Sequence, residues 1–399
     1  MGGVRLFLLF AAHCVGTINI MGVMAFAPAI QRDLGLDTAT FGLLVAAYYG
    51  AQPVVALPGG WLVDRIGVKA ALALSMAGVS ISAGLFATSA GGGMAAGLLI
   101  LAGIAYSLVN PATSVGVVTW FPPDWRSTMM SVKQAGVPAG GLIAAIIAGL
   151  AGPDAWRVSA GAVAVAAALT AVLALATPGG GAPSLARGPM LAGLLTVLRN
   201  RALMRVCLTT FLLNTAQGAF YAYLVLYLVG PVGLSPAVAA LIFGATHIVS
   251  AIARILWGLL ADRVWGGDGP RVLRLIAFAA GLGFLGLGLG SGLGAPWGQA
   301  AAGAAALALG MTIAGFAGVA QGAAATAAPR AQIGAAMGVF MVLTPLGSVV
   351  GPSLFGGLIG LSGGYLVPYL LLACVTVVVG LFVLRPVPPS RGGGGPAGA

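Results

Sequence analysis

Two stretches, Gly60–Lys69 (GWLVDRIGVK) and Gly258–Arg263 (GLLADR, followed by Arg271), are copies of one short motif. They lie 198 residues apart, from position 60 to position 258. Further segments match in the same order, at an offset of 198 and later of 207 residues: 35–39 with 233–237, 101–104 with 308–311, and 138–140 with 345–347. The first half of the chain is therefore repeated in the second.

The composition around these motifs is that of an integral membrane protein. Of the 399 residues, 60% are hydrophobic and only 6% are charged, and the mean hydropathy is +1.07. A soluble surface needs about a quarter of charged residues, and a disordered chain is much less hydrophobic. The 65 glycines have no three-residue period, which excludes collagen.

Apolar windows of about 20 residues, broken by charges or by proline and glycine, predict twelve helical spans. The first could be a signal peptide, but its apolar run continues to about residue 30 and favours a span. We place the spans near 5–30, 38–60, 69–89, 94–120, 128–150, 157–177, 204–229, 237–260, 272–292, 297–326, 333–360 and 365–385.

The net charge of +11 is explained by topology. With the N-terminus in the cytoplasm, fourteen of the 18 basic residues are cytoplasmic and two, Arg32 and Arg157, are external. This asymmetry is the one expected of a multi-pass protein of the inner membrane with both termini inside. The basic residues are scattered singly, which argues against a nucleic-acid surface.

The doubled loop motif resembles G-x-x-x-D-R-x-G-R/K of the major facilitator superfamily. The resemblance covers essentially the whole chain and implies an all-α membrane protein, with twelve transmembrane helices in two six-helix pseudo-symmetric bundles. It divides the chain into an N-terminal bundle (1–177), a cytoplasmic linker (178–203), a C-terminal bundle (204–385) and a disordered tail (386–399). We expect a monomer in the lipid bilayer.

In that family the motif acts as a gate. The resemblance implies that Asp64 faces the start of span 11 and a basic residue near the end of span 4, for which Arg126 is the candidate. An acid at a helix N-terminus is favoured by the helix dipole. The glycines would let helices pack closely. The other expected gating residues are Gly60, Arg65, Gly67, Lys69, Gly258, Asp262 and Arg263.

Arg254 is the most informative charge, because a charge inside a span is costly and usually functional. It lies four residues before Gly258, and the pattern Arg-x-x-x-Gly-x-x-x-Asp-Arg resembles oxalate and monocarboxylate carriers of the superfamily. The resemblance implies that Arg254 binds the substrate carboxylate, for which a guanidinium fork is well suited. The alternative is a structural or snorkelling arginine.

Two further polar groups are candidate substrate contacts near Arg254. His247 lies seven residues earlier, roughly 10 Å away along the same helix face, and could bind an anion or carry a coupling proton. Its repeat counterpart is Tyr49. Equally, His247 could be a buried neutral histidine bonded to a carbonyl.

Lys133 lies in a stretch of span 5 (Lys133–Gly141, KQAGVPAGG) that resembles organic-anion and cyanate-type permeases. It could be a second cationic contact, or it could snorkel to the membrane edge. Asn19 and Gln217 occupy equivalent repeat positions on spans 1 and 7, and Asn110 precedes a proline in span 4. These three are candidate cavity residues, although an interhelical hydrogen bond would explain each of them too.

No Asp falls inside a span, and the chain contains no Glu. The predicted cavity is therefore positive and suits an anion. A nitrate carrier would be expected to pair Arg254 with an arginine on span 2, where this chain has Ala56. Phosphate-ester antiporters of the superfamily carry arginines on spans 1 and 7, and neither span has a central one here.

The sequence thus predicts a secondary transporter that moves a small organic anion, a mono- or dicarboxylate, by alternating access, with proton symport through His247 as an option. The alternative is a drug or metabolite exporter of the same fold, since span 11 contains an exporter-like Gly347–Pro352 stretch (GSVVGP) in the wrong half. A receptor or scaffold would need no buried arginine. We expect no enzyme activity, no cofactor and no metal, because neither a nucleophile motif nor a metal-ligand cluster is present.

Overall fold

The computed structural model describes residues 2–177, 197–328 and 333–383, and within these ranges its regular structure is entirely helical. Most of the predicted linker and the whole predicted tail lie outside the described residues. The α-helices are α1 Gly2–Ala25, α2 Ala27–Leu34, α3 Thr38–Phe86, α4 Gly92–Tyr106, α5 Val109–Trp120, α6 Arg126–Gln134, α7 Gly136–Ala151, α8 Trp156–Ala176, α9 Arg201–Val229, α10 Pro236–Arg263, α11 Gly269–Gly290, α12 Trp297–Met311, α13 Ala317–Thr326, α14 Ile333–Leu343, α15 Gly347–Ser362 and α16 Leu366–Val378.

These helices follow the twelve predicted spans in order. Helices α1, α8, α9, α10 and α11 are spans 1, 6, 7, 8 and 9, and α16 with the π-helical turn Val379–Val383 is span 12. Spans 4, 5, 10 and 11 each consist of two consecutive helices, α4 with α5, α6 with α7, α12 with α13, and α14 with α15. Nine helical segments of the described residues are long and apolar enough to cross a membrane, and Leu366–Leu381 is a shorter one.

Spans 2 and 3 are joined inside α3 by a glycine of the loop motif. Gly67 has φ 80° and ψ 165°, a left-handed conformation that a residue with a Cβ rarely adopts. The motif therefore contains Gly67 because the chain reverses direction there. In contrast, a Cβ at Gly60 or Gly258 would meet no atom within 4 Å, so the close helix packing expected at these two glycines is absent in this conformation.

Proline explains three of the four broken spans. A proline cannot donate to the carbonyl four residues earlier, and its ring clashes with that carbonyl. Pro111 accounts for the break at residues 107–108 of span 4, Pro138 for the break at Ala135 of span 5, and Pro345 for the break at 344–346 of span 11. The irregular stretch 312–316 of span 10 contains no proline and is held by side chains described below.

The internal repeat is also visible in the helix packing. A Cβ at Gly140 would strike the Cys14 carbonyl and Thr17 of span 1, and a Cβ at Gly347 would strike Phe211 and Thr215 at the equivalent place on span 7. Gly35 and Gly233 both have positive φ (64° and 72°) before spans 2 and 8. The expectation of two pseudo-symmetric bundles is confirmed by these paired contacts.

Spans 1 and 7 form the centre of the molecule. In the most apolar window of each span, 78% of the residues of span 1 and 72% of those of span 7 are buried, against 28% in span 6. A helix that exposes most of its apolar residues must face lipid, whereas one buried all round is a core helix. The centre of the bundle is therefore where α1 and α9 meet the broken spans.

The two faces of the bundle differ in how the N- and C-terminal helices meet. We call the face with residues 64–69 and 262–271 the motif side, and the face with residues 32–38 and 230–236 the Arg32 side. Tyr223 of span 7 donates its hydroxyl to the carbonyls of Thr38 and Pro352, at 2.9 and 3.1 Å, which joins spans 2, 7 and 11 on the Arg32 side. On the motif side, no ion pair joins the halves among the residues that the structure describes.

A polar cluster caps the Arg32 side. Arg32 forms ion pairs with Asp33 and Asp154, at 2.9 and 2.6 Å, and Trp156 Nε1 donates to Asp33 Oδ2 at 2.8 Å. The hydrogen bond from Trp156, followed by those from Arg32, holds the pKa of Asp33 below its usual range. These contacts tie the end of span 1 to the start of span 6.

Candidate functional site

Arg254 lies in the motif-side half of span 8, in a region without a described counter-charge. Its side chain is half-buried, and its Nε atom is buried with no hydrogen-bond partner. The ion pairs found in the described residues are those of Arg32, on the Arg32 side. A guanidinium donor without a partner in a low-dielectric interior is costly, and an anionic ligand would remove that cost.

An aromatic cluster lies beside Arg254. The rings of Tyr221 and His247 are stacked in parallel, with centroids 4.8 Å apart and an interplanar angle of 1°, and Phe243 contacts both edge-on. Arg254 is an electrostatic neighbour of both Tyr221 and His247. The structure thus brings His247 and Arg254 together, as their spacing on one helix face predicted.

His247 is also a contact point between the two halves. It is buried, and its Nε2 atom has no hydrogen-bond partner. A Cβ added at Gly141 of span 5 would overlap three atoms of the imidazole ring, so the ring lies directly on bare backbone of the other half. The sequence of span 5 contains several glycines, but nothing in it indicates that one of them accommodates His247.

A second aromatic cluster faces the first from the N-terminal helices. Tyr49 packs edge-on against Tyr48, with ring centroids 5.2 Å apart, and Tyr48 stacks on Tyr106 at 6.4 Å. Tyr106 shares a hydrogen bond of 3.1 Å with Thr17. Tyr49 is an electrostatic neighbour of Tyr221, so the repeat-related positions 49 and 247 lie on the two facing clusters.

Gln217 holds the irregular stretch of span 10. Its Nε2 donates to the carbonyl of Ile313, while Ser250 and Trp257 of span 8 donate to the carbonyls of Ala314 and Met311, all at 2.8 Å. Asn214 donates to the Thr344 carbonyl in the break of span 11, at 2.9 Å. The interhelical hydrogen bond that the sequence left as an alternative is therefore present at Gln217, and a substrate contact there stays a prediction.

Asn19 lies away from these clusters. It lines a chamber of about 20 Å³, room for about one water, between spans 1, 3 and 6, together with Phe86, Trp156 and Ser159. Its Nδ2 atom is buried and has no hydrogen-bond partner. The structure thus does not bring Asn19 to the face of Arg254.

Lys133 is enclosed by span 4. Its side chain is 1% exposed, and its Nζ lies 3.2 Å from Asn110 Oδ1, 3.0 Å from Thr113 Oγ1 and 2.8 Å from Ser114 Oγ. The snorkelling alternative does not describe this conformation, because the ammonium points into the protein. Asn110 itself is exposed and covers the ammonium. Thr113 and Ser114 were not among the predicted site residues, because no motif distinguishes them from other short hydroxyl residues.

The expected ion pair between Asp64 and Arg126 is absent in this conformation. Asp64, Arg65, Asp262 and Arg263 are exposed, and Asp64 forms no ion pair with Arg126. Arg126 instead donates to the carbonyl of Val118 at 2.7 Å. The predicted contact of Asp64 with the start of span 11 involves residues around 329–332, which lie outside the described residues.

Arg65 and Lys69 lie on the motif side. Arg65 stacks over Trp61 at 5.3 Å from the ring centroid, and Lys69 is half-buried at the start of span 3. Within the described residues, no group of three or more His, Cys, Asp or Glu side chains could hold a metal ion.

A family model described as Major Facilitator Superfamily matches residues 8–314, most of the chain. The chain belongs to this superfamily. It is accordingly a multi-pass membrane protein of a transporter family, and the expectation that it is not an enzyme is confirmed by that membership.

Several of the matching relatives are named as transporters of acid sugars. The chain is 30% identical over 152 residues to a hexuronate transporter of Bacillus subtilis (38% of this chain, 36% of the relative). It is 31% identical over 134 residues to a probable galactarate/D-glucarate transporter of the same organism (31% and 30%). Over 132 residues it is 25% identical to a D-galactonate transporter of Escherichia coli (33% and 30%). The matches thus span about a third of these relatives.

Solved structures confirm the fold over nearly the whole chain. A bacterial homologue of the human lysosomal transporter Spinster, in an inward-facing and occupied conformation, has a TM-score of 0.74 at 18% identity and covers 95% of this chain and 94% of that chain. The nucleoside transporter NupG has a TM-score of 0.78 at 14% identity, with coverage of 96% and 98%.

Proposed function

We propose that this protein is a secondary transporter of a small organic anion, with Arg254 as the group that binds the substrate carboxylate. The observation that carries the proposal is the unpartnered Nε of Arg254 inside a span, with which no acid of the described residues forms an ion pair. A carboxylate would supply both the missing acceptor and the missing charge. The names of the relatives, which are carriers of hexuronate, galactarate or D-glucarate, and D-galactonate, support an anion of this kind.

We propose acid sugars as the first substrates to test, ahead of simple mono- and dicarboxylates. Each such molecule has one or two carboxylates and several hydroxyls. The phenols of Tyr49 and Tyr221 and the imidazole of His247 lie on the facing clusters beside Arg254 and could bind hydroxyls. One carboxylate on Arg254 and hydroxyls on the aromatic groups would bind such a ligand across both halves.

The transport cycle would be alternating access, with the N-terminal bundle (1–177) and the C-terminal bundle (204–385) rocking about the bound anion. The surplus of basic residues on the motif side argues that this side, with both termini, faces the cytoplasm of a bacterial inner membrane. The Tyr223 contacts would then close the outside, while the exposed Asp64 and Asp262 leave the cytoplasmic gate unformed. Coupling of the anion to a proton is also part of the proposal.

The test is counterflow in proteoliposomes loaded with unlabelled anion. Labelled D-glucuronate, D-galactonate, D-glucarate, oxalate and formate are offered to the wild type, Arg254→Ala, Arg254→Lys and the exposed-arginine control Arg205→Ala. A hydrogen bond to a charged group contributes about 1.5–3 kcal/mol, so Arg254→Ala should weaken anion binding about 10- to 150-fold.

Arg254→Lys keeps the charge but loses the planar fork, and it should show an intermediate KM. Arg205→Ala should transport as the wild type does. Counterflow of an anion at the wild-type rate by Arg254→Ala would refute the site. Efflux of a lipophilic cation without any anion counterflow would favour the exporter alternative.

A further inference from the structure

The network around Lys133 and His13 defines a second charged site, within the N-terminal helices. His13 of span 1 is 3% exposed, and its Nε2 lies 3.0 Å from Thr113 Oγ1, which also contacts Lys133 Nζ at 3.0 Å. Thr113 therefore joins the two basic side chains. The substrate site proposed above uses neither the imidazole of His13 nor this threonine.

The hydrogen bonds assign the protons of the network. Thr113 Oγ1 lies 2.7 Å from the carbonyl of Val109 and Ser114 Oγ lies 2.8 Å from that of Asn110, so each hydroxyl donates its single hydrogen to backbone. Both hydroxyls can then only accept. Lys133 must donate to Thr113, Ser114 and the Asn110 side-chain oxygen, and three donated hydrogens require the charged ammonium.

The same count of donors and acceptors decides the tautomer of His13. Since Thr113 has no hydrogen left to donate, the contact at 3.0 Å requires a hydrogen on His13 Nε2. The other ring nitrogen, Nδ1, is buried and has no hydrogen-bond partner. Nδ1 is thus the only position of the ring that can take up a proton, and a proton there would have no acceptor in this conformation.

The positive charge of Lys133 opposes a proton on His13 Nδ1 until an anion binds. Span 5 contributes the Lys133 ammonium, and spans 3 and 6 have no titratable side chain between their ends. The titratable groups in the interior of spans 1, 2, 4 and 7, other than His13 itself, are neutral when protonated: Cys14, Tyr48, Tyr49, Tyr106, Cys207, Tyr221, Tyr223 and Tyr227. No described acid lies inside a span, so the carboxylate of a substrate is the negative charge that could offset two neighbouring cations.

We propose that His13 is the proton-coupling group of this transporter, and that Lys133 makes its protonation depend on the bound anion. The inference rests on the proposed anion transport. On its way to or from Arg254, the carboxylate replaces the exposed Asn110 side-chain oxygen on Lys133 Nζ and brings one negative charge next to Thr113. His13 Nδ1 then binds one proton from water to form imidazolium, and it returns that proton to water after the anion has left, so one proton moves with one anion.

A helix break next to this network would allow the movement that proton binding and release require. The break of span 4 at residues 107–108 lies two residues before Asn110, and Gly136 of span 5 packs on the Cβ of His13 and on the backbone of Phe10 and Cys14. Movement of the second half of span 4 would open the Thr113 contact at Nε2 and let water reach the imidazole ring. In the present conformation His13 and Lys133 are both sealed from solvent.

The experiment separates anion exchange from proton movement. His13→Gln, Lys133→Met and the control Thr170→Val, which removes a buried hydroxyl of span 6, are assayed for anion counterflow and for anion-driven proton uptake with a trapped pH dye. The anions are the five named above. We expect His13→Gln to keep counterflow within about threefold of the wild type but to lose anion-driven proton uptake. We expect Lys133→Met to weaken this coupling and Thr170→Val to resemble the wild type.

A direct readout uses the small number of histidines. The chain has two, so ¹⁵N-histidine NMR of the purified protein resolves His13 and His247, with His13→Gln giving the assignment. We expect the neutral Nε2–H form of His13 without anion and imidazolium at saturating anion. An imidazolium signal without anion, an Nδ1–H neutral form, or full proton coupling in His13→Gln would overturn the inference. Failure of counterflow in the wild type would overturn the proposed function instead. The NMR spectrum would still show whether His13 has its proton on Nε2.

Discussion

The contact between Gly141 and His247 predicts a variant that cannot adopt the present conformation easily. A Cβ at position 141 would lie closer to three imidazole atoms than the 3.0 Å below which real Cβ contacts essentially never occur. The ring cannot simply rotate away, because it is 3% exposed and is packed between Tyr221 and Phe243. Gly141→Ala should therefore separate spans 5 and 8.

The size of the effect follows from the cost of overpacking. An extra methyl group in a packed interior costs about 1–3 kcal/mol. If the opposite conformation of the transport cycle separates these spans, the equilibrium shifts away from the present conformation by about 5- to 150-fold. Gly149→Ala is the matched control on the same helix, because a Cβ there would meet span 8 at ordinary distances of 3.7 to 4.0 Å.

The assay is a disulfide cross-link between the halves. A Cβ at Gly50 lies 3.6 Å from Val349 Cγ1, so a Gly50→Cys/Val349→Cys pair, in a chain with the exposed Cys374 changed to Ala, should form a bond in the present conformation. We expect Gly141→Ala to reduce cross-link formation and Gly149→Ala to leave it unchanged. Adding His247→Ala to Gly141→Ala removes the overlap and should restore the cross-link. An unaltered cross-linking rate in Gly141→Ala would show that the contact does not govern the equilibrium.

Three other changes test the parts of the fold that surround the site. Tyr223→Phe removes the hydroxyl that joins the halves on the Arg32 side, a loss of about 1 kcal/mol per hydrogen bond, and should lower the yield of the same cross-link. Because the pKa of Asp33 is lowered by Trp156 and Arg32, its stabilising contribution is present above the unfolded pKa of about 3.9 and is lost as the pH falls through the folded pKa. The melting temperature of Asp33→Asn should accordingly vary less than that of the wild type when the pH is lowered below about 4; an identical pH dependence would contradict this assignment. Gly67→Ala introduces strain of order 1–3 kcal/mol at φ 80° and should lower the melting temperature in detergent, and an unchanged value would argue against a required left-handed glycine.

The twelve spans were predictable because their signals are local. Length, apolarity and charge mark each span, and the proline positions account for breaks that the structure places in spans 4, 5 and 11. Arg254 and His247 were predictable as neighbours because seven residues along a helix return to the same face.

The partners of polar side chains were not predictable, because they depend on contacts between distant spans. Gln217 and Ser250 donate to carbonyls in the irregular stretch of span 10, and no proline in the sequence marks that stretch. The Lys133 contacts likewise come from hydroxyl residues that no motif distinguishes.

The sequence by itself determined the class of protein, the number of spans, the internal repeat and the absence of acids within spans. These properties follow from composition and from periods along one chain. Only the tertiary structure decided that Gly141 accommodates His247, that Thr113 joins His13 to Lys133, and that the halves meet at Tyr223. The physical reason is that a buried polar group takes its partners from whichever spans pack beside it, and that packing is a property of the whole bundle.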